Sequence, residues 1–248
     1  MTLSHVCAFD IETVPDVEFG RRLHGLEGLT DKQVGYVMQT RQREQTGTEF
    51  LSLEQHRIVA ISIAVRTRDG FEARSLGAVD AGEAELVRRF FDGIERYTPT
   101  LVSWNGSGFD LPVLHYRALR HGVQARRYWE MGDEDQSFRW NNYPSRFHWR
   151  HIDLMDVLSG FQGRGRVGLD QMARLLGLPG KRGLTGEGVW DAYLEGRIDD
   201  IRHYCETDAI NTYLIYLRFE LMRGRLSHEE HERECALVRS SLDQAGAG

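Results

Sequence analysis

A continuous apolar run with two acidic residues near its end opens the chain. Residues 6–12 read Val-Cys-Ala-Phe-Asp-Ile-Glu, and Pro15 lies shortly after them. A run of this length that stops at a proline is typical of a buried central strand. Because side chains alternate along a strand, we expect Asp10 and Glu12 on one face and their apolar neighbours on the other. Two carboxylates at the end of a buried strand repel each other, so they need a cation or a proton; an edge strand whose acids face water is the alternative.

The apolar patterns that follow predict a second strand, a hairpin and then alternating helices and strands. Residues 57–65 are apolar on both faces, as in a central strand, and an Arg-Asp-Gly turn joins them to a shorter strand over 71–76. We expect the first strand to pair with this hairpin. Helical spacing covers residues 81–97 and 111–119, with a short buried strand over 101–104 between them. This order of elements is typical of an α/β fold.

The C-terminal part of the chain returns to regular patterns. Apolar character resumes at residues 152–158, which include Asp153 and Asp156, two acids that we interpret as structural. Helical patterns then cover residues 168–176, 189–194 and 198–222.

Two segments interrupt these patterns. Residues 16–50 are rich in charged residues, Gly and Gln, and one helix is indicated near residues 34–38, so we interpret the segment as an insertion or mobile flap. Residues 124–149 hold seven aromatic side chains among Arg, Asn and Asp, which could cover a core edge, make a subunit contact or stack bases. We therefore expect one domain over residues 1–225 that carries both insertions, followed by a C-terminal helix and tail over 226–248.

Charge and cysteine content narrow the class of protein. The chain has 248 residues and a formal net charge of −6, which argues against general binding of nucleic acid through a broad basic surface. Its three cysteines are an odd number, and two of them lie in apolar runs, as expected for thiols in a reducing cytoplasm. No apolar run approaches the ~18 residues of a membrane span, and no basic segment introduces a signal sequence. We expect a soluble cytoplasmic protein with no membrane partner.

Two later acidic residues are placed to join the first pair. Asp110 follows a buried strand and a Gly-rich turn, at a strand end where sites form in α/β sheets, although an Asp there is also an ordinary helix N-cap. Asp208 lies four residues after Tyr204 in the last long helical pattern, so the two side chains share one face. That face is expected to pack toward the sheet.

Three short motifs carry a resemblance to a known family. They are Phe9-Asp10-Ile11-Glu12-Thr13, Asn105-Gly106-Ser107-Gly108-Phe109-Asp110 and Tyr204-Cys205-Glu206-Thr207-Asp208. In this order they resemble the DEDD superfamily of 3′–5′ exonucleases, in its DEDDy branch. The chain is similar to a stand-alone version of the proofreading exonuclease domain of family B DNA polymerases. The resemblance implies an α/β, ribonuclease H-like fold with a mixed five-stranded sheet flanked by helices.

The resemblance also implies hydrolysis of single-stranded nucleic acid from its 3′ end to nucleoside monophosphates, with two Mg²⁺ or Mn²⁺ ions. Asp10 would bridge the ions, Glu12 and Asp208 would bind the ion on the side of the nucleophile, and Asp110 would bind the second ion, partly through water. Tyr204 would position the attacking water. Residues expected to contact the substrate are Asn105, Phe109, Arg164, Arg166, Lys181 and Arg182, although the four basic residues could equally form a solvated loop.

His203 offers an alternative to Tyr204, because one branch of the superfamily uses a histidine five residues before the last aspartate and the other a tyrosine four residues before it. A helix that begins near residue 198 places Tyr204 and Asp208 on one face and turns His203 away. The sequence therefore predicts the tyrosine branch.

The sequence is compatible with more than one substrate and activity. DNA is the favoured substrate, and a 3′–5′ exoribonuclease that trims RNA is the alternative enzyme. A catalytically silent nucleic-acid-binding module is the alternative outside enzymes, and the presence of all four carboxylates and Tyr204 argues against it. The match of Gly163–Gly168 to G-x-G-x-x-G lacks a βαβ context, so we expect no nucleotide cofactor.

Overall fold

A five-stranded sheet forms the centre of the fold, which a computed structural model describes over residues 5–178 and 183–246. The strands are β1 (Val6–Pro15), β2 (His56–Arg66), β3 (Phe71–Ser75), β4 (Thr100–Ser103) and β5 (His151–Asp153). Their order in the sheet is β3-β2-β1-β4-β5. Strand β1 pairs antiparallel with β2 and parallel with β4, and β4 pairs parallel with β5. The sheet is therefore mixed and five-stranded, which confirms the predicted fold class.

Nine helices within the described residues flank the sheet. Two of them, α7 and α8, have the bounds that the apolar pattern predicts. The helices are α1 (Val17–His24), α2 (Asp31–Thr46), α3 (Glu83–Tyr97), α4 (Asp110–His121), α5 (Leu154–Leu158), α6 (Leu169–Leu175), α7 (Val189–Leu194), α8 (Ile198–Met222) and α9 (His228–Gly246).

The two faces of β1 are buried in different layers of the core. Phe9 and Ile11 belong to the apolar cluster that includes α3 and α4, whereas Val6 and Ala8 belong to the cluster that includes α8. Alternation along the strand therefore places the next even-numbered positions, including Asp10, toward the layer of α8. This arrangement turns the first acidic motif toward the helix that carries the third.

The C-terminal helix α9 packs on the outer strand of the sheet and on α8. Val238 is buried in the same apolar cluster as α8, Glu234 forms an ion pair with Arg66 at 2.7 Å, and Ser241 Oγ donates to the carbonyl of Phe71 at 2.8 Å. None of the helices in the described part of the chain is long and apolar enough to cross a membrane.

The aromatic segment over residues 124–149 divides into buried and exposed rings. Tyr128, Phe138 and Tyr143 are buried in the cluster of α3 and α4, and the Tyr143 hydroxyl donates to the carbonyl of Pro99 at 2.6 Å. These three rings close one edge of the core. The exposed rings of the segment are Trp129, Trp140, Phe147 and Trp149.

Residues 16–50 contain two helices, α1 and α2, where the sequence predicts one. The prediction is wrong because it treats the segment as too polar to bury a core. Val34, Met38 and Leu51 form a small buried cluster of their own between the two helices. The cap of α1 is also tied to the main core, because Asp16 accepts a hydrogen bond from the buried guanidinium of Arg117 in α4 at 2.7 Å.

Arg117 is the centre of a buried ion network that holds this segment in place. Its side chain is 3% exposed, and it contacts both Asp16 and Glu83, whose side chains are 2% and 5% exposed.

Arg117→Met should lower the free energy of unfolding by about 3–5 kcal/mol, because two buried carboxylates lose their cation. Urea unfolding measures this loss. Arg120→Met is the control, because Arg120 contacts Asp16 only at 3.6 Å and is 28% exposed; its cost should stay below about 1 kcal/mol. Equal unfolding midpoints for the two variants would contradict the network.

Candidate active site

The three sequence motifs meet at the carboxyl ends of the parallel strands. Asp10 and Glu12 follow the part of β1 that pairs with β4, and residues 105–110 follow β4. Because β1 and β4 run parallel, these segments reach the same edge of the sheet, where ligand sites form in α/β folds. Helix α8 packs across β1 and brings Asp208 to this edge.

Three carboxylates approach one another closely at this edge. Asp10, Glu12 and Asp208 offer ligand oxygens that lie within 4.8 Å of one another. Glu12 and Asp208 are buried, and Asp10 is partly exposed. The pairing of β1 with β2 shifts register between Glu12 and Thr13, a bulge of the kind that redirects side chains beside active sites. The predicted placement of both strand carboxylates on one face is confirmed by this cluster.

Asp110 faces the same cleft but stands apart from the cluster of three. It is 5% exposed, and its Oδ1 accepts a hydrogen bond from the Ile11 amide of β1 at 3.2 Å. It is the first residue of α4, and Phe109 is the N-cap, so the alternative of an ordinary N-cap aspartate is wrong. Burial raises the pKa of Asp110 to about 7, and the carboxylates of Asp153 and Asp208 contribute to the rise. Asp110 therefore lies where a negative charge is costly without a cation.

The turn between β4 and α4 is held by a carboxylate from β5. Asp153 accepts hydrogen bonds from the amides of Asn105 at 3.0 Å and Ser107 at 2.8 Å. Asn105 adopts a left-handed conformation with φ of 67°, and a Cβ at Gly106 would lie 2.3 Å from Ser103 Oγ. These constraints shape the turn that aims Asp110 at the cleft. Asp153 is structural, as the sequence predicts, and its structural role serves the site.

Helix α8 separates the two candidates of the third motif. Tyr204 is 7% exposed and lines the cleft together with Asp208, one helical turn away. His203 lies on the same helix and is exposed. The geometry predicted for the helix is therefore correct. Cys205 follows Tyr204 on α8, and its thiol donates to the carbonyl of Asp10 at 3.3 Å. Burial raises the pKa of this thiol, so Cys205 packs as a neutral side chain.

The donor set of the cleft fits hard divalent cations. The cleft has a volume of about 280 Å³, and none of the described residues that line it is a lysine or an arginine. Carboxylate oxygens, of which this lining offers four pairs, are the ligands that Mg²⁺ and Mn²⁺ prefer. The remaining lining residues include Asn105 and Phe109, as well as Trp104, Met155, Gly168 and Leu169.

The residues predicted to contact substrate are placed differently from one another. Asn105 and Phe109 line the cleft, and the Phe109 ring lies 5.5 Å from that of Phe50, measured between centroids. Arg164 is exposed on a short 3₁₀ turn. Arg166 forms an ion pair with Asp156 at 2.7 Å and lines a neighbouring cavity instead of the cleft. Lys181 and Arg182 lie outside the described residues.

Sequence reasoning missed the ion pairs around Asp156, because its two arginine partners lie ten residues away on either side. It also did not assign Trp104 to the site, although Trp104 lines the cleft and its indole Nε1 donates to the carbonyl of Val167 at 3.0 Å. The sequence signal for Trp104 was its place at the end of a predicted buried strand, because a buried indole N–H usually finds a hydrogen-bond partner.

A ribonuclease H-like sheet, with a carboxylate cluster where the ends of its parallel strands meet α8, gives the class of protein as a nuclease-type hydrolase. The comparison with known families identifies the family to which the chain belongs. The chain belongs to a family described as predicted 3′–5′ exonucleases related to the exonuclease domain of PolB, whose model matches residues 48–248. The match includes Asp110, Tyr204 and Asp208, and it begins after Asp10 and Glu12. The placement of those two residues in the site therefore rests on the geometry of β1.

Relatives and solved structures agree with this family. A catalytic subunit of DNA polymerase epsilon from Arabidopsis thaliana is 25% identical over 227 residues, which cover 86% of this chain and 10% of that protein. A DNA polymerase of Archaeoglobus fulgidus is 25% identical over 67% of this chain and 21% of its own length. The family B DNA polymerase of Pyrobaculum calidifontis superposes with a TM-score of 0.54 at 18% identity, over 88% of this chain and 24% of that one. The chain spans less than a quarter of each of these polymerases, and the structural likeness shows the fold.

Proposed function

We propose that the chain is a 3′–5′ exonuclease that hydrolyses phosphodiester bonds of single-stranded nucleic acid, with DNA preferred, and releases nucleoside monophosphates. One observation supports this proposal above all others. Four carboxylates and Tyr204, from three separate segments of the chain, line a single cleft. Bringing carboxylates together from distant segments destabilises the fold unless cations bind between them. Such a cluster is therefore typical of a site that binds cations and phosphates.

The cleft residues divide into metal ligands and positioning groups. Asp10, Glu12 and Asp208 would hold one ion together, with Asp10 shared toward a second ion near Asp110. When bound, two Mg²⁺ or Mn²⁺ ions would activate a water on one side of the phosphodiester and stabilise the leaving 3′-oxygen on the other. The hydroxyl of Tyr204 would orient the attacking water against the phosphorus by a hydrogen bond.

The walls of the cleft would position the terminal nucleotide. Phe109 offers an aromatic ring on which a base can stack, and Asn105 offers an amide for a sugar or phosphate oxygen. Arg164, Lys181 and Arg182 would contact backbone phosphates farther along the strand. Such contacts add affinity without sequence preference, which suits an enzyme that removes nucleotides in succession.

The names of the relatives support DNA as the substrate, since each of them is a DNA polymerase. Matched single-stranded DNA and RNA oligonucleotides of one sequence, together with the DNA duplex, test this part of the proposal. We expect the single-stranded DNA to be degraded fastest. Preferential degradation of the RNA would favour the exoribonuclease alternative, and binding of all three without hydrolysis would favour a silent binding module.

Metal ions should stabilise the protein even without substrate. Because Mn²⁺ would bind the folded cleft and not the unfolded chain, a concentration of 100 times its dissociation constant should add about 2.7 kcal/mol to the free energy of unfolding. Thermal denaturation with increasing Mn²⁺, and with EDTA as the reference, measures this gain. The same titration on Asp208→Asn is the control and should show a smaller shift. An unchanged melting temperature in the wild-type protein would remove the metal site from the proposal.

A further inference from the structure

A second cavity lies on the other side of the turn that carries Asn105. It has a volume of about 310 Å³ and is lined by Ser107 and Gly108 of the turn. Arg166 also lines it, whereas Gly168, two residues later, lines the catalytic cleft. The cavity and the cleft therefore share two walls, the turn after β4 and the loop before α6. These shared walls make the cavity and the cleft neighbours, which is the basis for placing one strand in both.

Two arginines are fixed at this cavity by one buried carboxylate. Asp156 is 2% exposed, and its oxygens accept from Arg146 at 2.8 Å and from Arg166 at 2.7 Å. Each guanidinium contacts Asp156 through one terminal nitrogen, and the two side chains are 46% and 39% exposed, respectively. A guanidinium has five N–H donors in a planar fork that suits phosphate oxygens. The two guanidinium groups and the carboxylate together carry a net positive charge. The guanidinium N–H donors that do not contact Asp156 can bind an anion.

Two aromatic rings lie beside Arg146, next to the residues that line the cavity. The guanidinium of Arg146 is 5.8 Å from the ring centroid of Phe147 and 5.0 Å from that of Phe161, and the two rings are 5.1 Å apart. Phe147 is 70% exposed. Phe161 has a φ of 60°, a conformation that bulky side chains rarely adopt. An exposed ring such as Phe147, supported by the partly buried Phe161 and next to a guanidinium group, forms the kind of platform on which a base of a single strand stacks.

Charge and hydrogen-bonding capacity at the cavity favour the same ligand. Residues 139–166 contain five arginines and two aspartates, in a chain whose net charge is −6, and two of these arginines and one of the aspartates line the cavity. His115 also lines the cavity, and its buried Nε2 has no hydrogen-bond partner among the described residues. The local positive charge complements a phosphate backbone, and the imidazole can bond to a sugar or base.

We propose that this cavity binds a nucleotide of the substrate strand on the 5′ side of the scissile bond. The Arg146 and Arg166 pair binds its phosphate, and its base stacks on Phe147 and Phe161. The inference rests on the proposed exonuclease function for the identity of the strand. The ligand assigned to the site is single-stranded nucleic acid. The test must distinguish binding of this ligand from a purely structural role of the ion pairs and rings.

Two substrates distinguish this site from the catalytic cleft. In the p-nitrophenyl ester of thymidine 5′-monophosphate, p-nitrophenol replaces the upstream strand, so the ester occupies the cleft alone. A 5′-fluorescein-labelled single-stranded DNA of about twelve nucleotides is long enough to reach both sites. Hydrolysis of the ester with Mn²⁺ measures the cleft, and fluorescence anisotropy of the labelled DNA with Ca²⁺ measures binding.

Phe147→Ala and Arg146→Gln should each weaken binding of the labelled DNA, by about tenfold for the loss of the stacking ring. Both should leave kcat and KM for the ester close to the wild-type values. Trp140→Ala is the matched control, because Trp140 is 79% exposed and lies in the same segment beside the guanidinium of Arg139, an arginine that, unlike Arg146, does not line the cavity. It should change neither readout.

The possible results separate the two proposals. If the wild-type protein hydrolyses no substrate but Phe147→Ala still weakens DNA binding, the exonuclease function fails and the cavity site stands. If Phe147→Ala and Arg146→Gln bind the DNA as the wild-type protein does, the site is overturned, whatever the activity. Parallel losses on the ester and the DNA would also overturn it, because the substitutions would then act through the cleft. Phe147 is exposed, so its removal leaves the core intact, and a melting curve confirms this for each variant.

Discussion

Asp10→Asn should abolish hydrolysis while the protein remains folded. Asp10 lies on β1 within 4.8 Å of Glu12 and Asp208, measured between ligand oxygens. An amide offers a neutral oxygen in place of a charged one, so the cluster loses affinity for divalent cations. We expect kcat for a single-stranded oligonucleotide to fall by at least about 10²–10³-fold, the scale on which loss of one electrostatic contact lowers the rate in an active site.

The same substitution should not reduce stability in metal-free buffer. Removing one of several neighbouring negative charges relieves repulsion, so the melting temperature with EDTA should stay constant or rise. Asp92→Asn is the control, because it makes the same chemical change on the exposed face of α3. It should retain activity. An Asp10→Asn protein that is as active as Asp92→Asn would show that the carboxylate cluster is not the catalytic centre.

The second large effect is expected at Tyr204. This side chain is 7% exposed, lines the cleft and lies one helical turn before Asp208. Tyr204→Phe keeps the ring and its packing and removes the hydroxyl alone. If that hydroxyl positions the attacking water, kcat should fall by about 10²-fold with little change in KM. Single-turnover hydrolysis of a labelled oligonucleotide measures the loss.

His203 provides the matched control for this prediction. It precedes Tyr204 on α8, occupies the position at which the other superfamily branch has its histidine, and is exposed. His203→Ala should therefore hydrolyse the oligonucleotide at close to the wild-type rate. The reverse result, an inactive His203→Ala and an active Tyr204→Phe, would assign the chain to the histidine branch while leaving the carboxylate cluster in place.

Local periodicity was sufficient to predict the parts of the site that lie on regular elements. Alternation along β1 placed Asp10 and Glu12 on one face, and the spacing of Tyr204 and Asp208 placed both on one side of α8. In each case the side-chain direction follows from the repeat of the element itself. The α/β class followed from the order of strands and helices, and the ribonuclease H-like fold followed from the family resemblance that the three motifs carry.

Features that depend on contacts between distant segments could not be predicted in this way. The buried network of Arg117 joins Asp16 and Glu83, which lie 101 and 34 residues away along the chain. No local pattern distinguishes such an arginine from a solvated one. The small core of residues 16–50 was missed for the same reason, since its few apolar side chains become significant only once α1 and α2 are folded against each other.

Arg166 illustrates the limit of reading charge from a loop. The sequence allowed a phosphate contact or a solvated loop for this residue, but it could not show that Asp156 holds the guanidinium at a cavity separate from the cleft. The carboxylate partner holds Arg166 at this cavity, so the proposed phosphate contact lies there. It also turns an isolated basic side chain into one half of a fixed pair.

The direction of degradation and its dependence on metal together give the most direct test of the proposed function. A single-stranded DNA labelled at its 5′ end is incubated with the protein and Mn²⁺, and the products are separated by length. We expect labelled products that shorten from the 3′ end in single-nucleotide steps, release of nucleoside 5′-monophosphates, and intact DNA when EDTA is in excess. Undiminished degradation in EDTA, or release of the 5′ label as the first product, would rule out a metal-dependent 3′–5′ exonuclease.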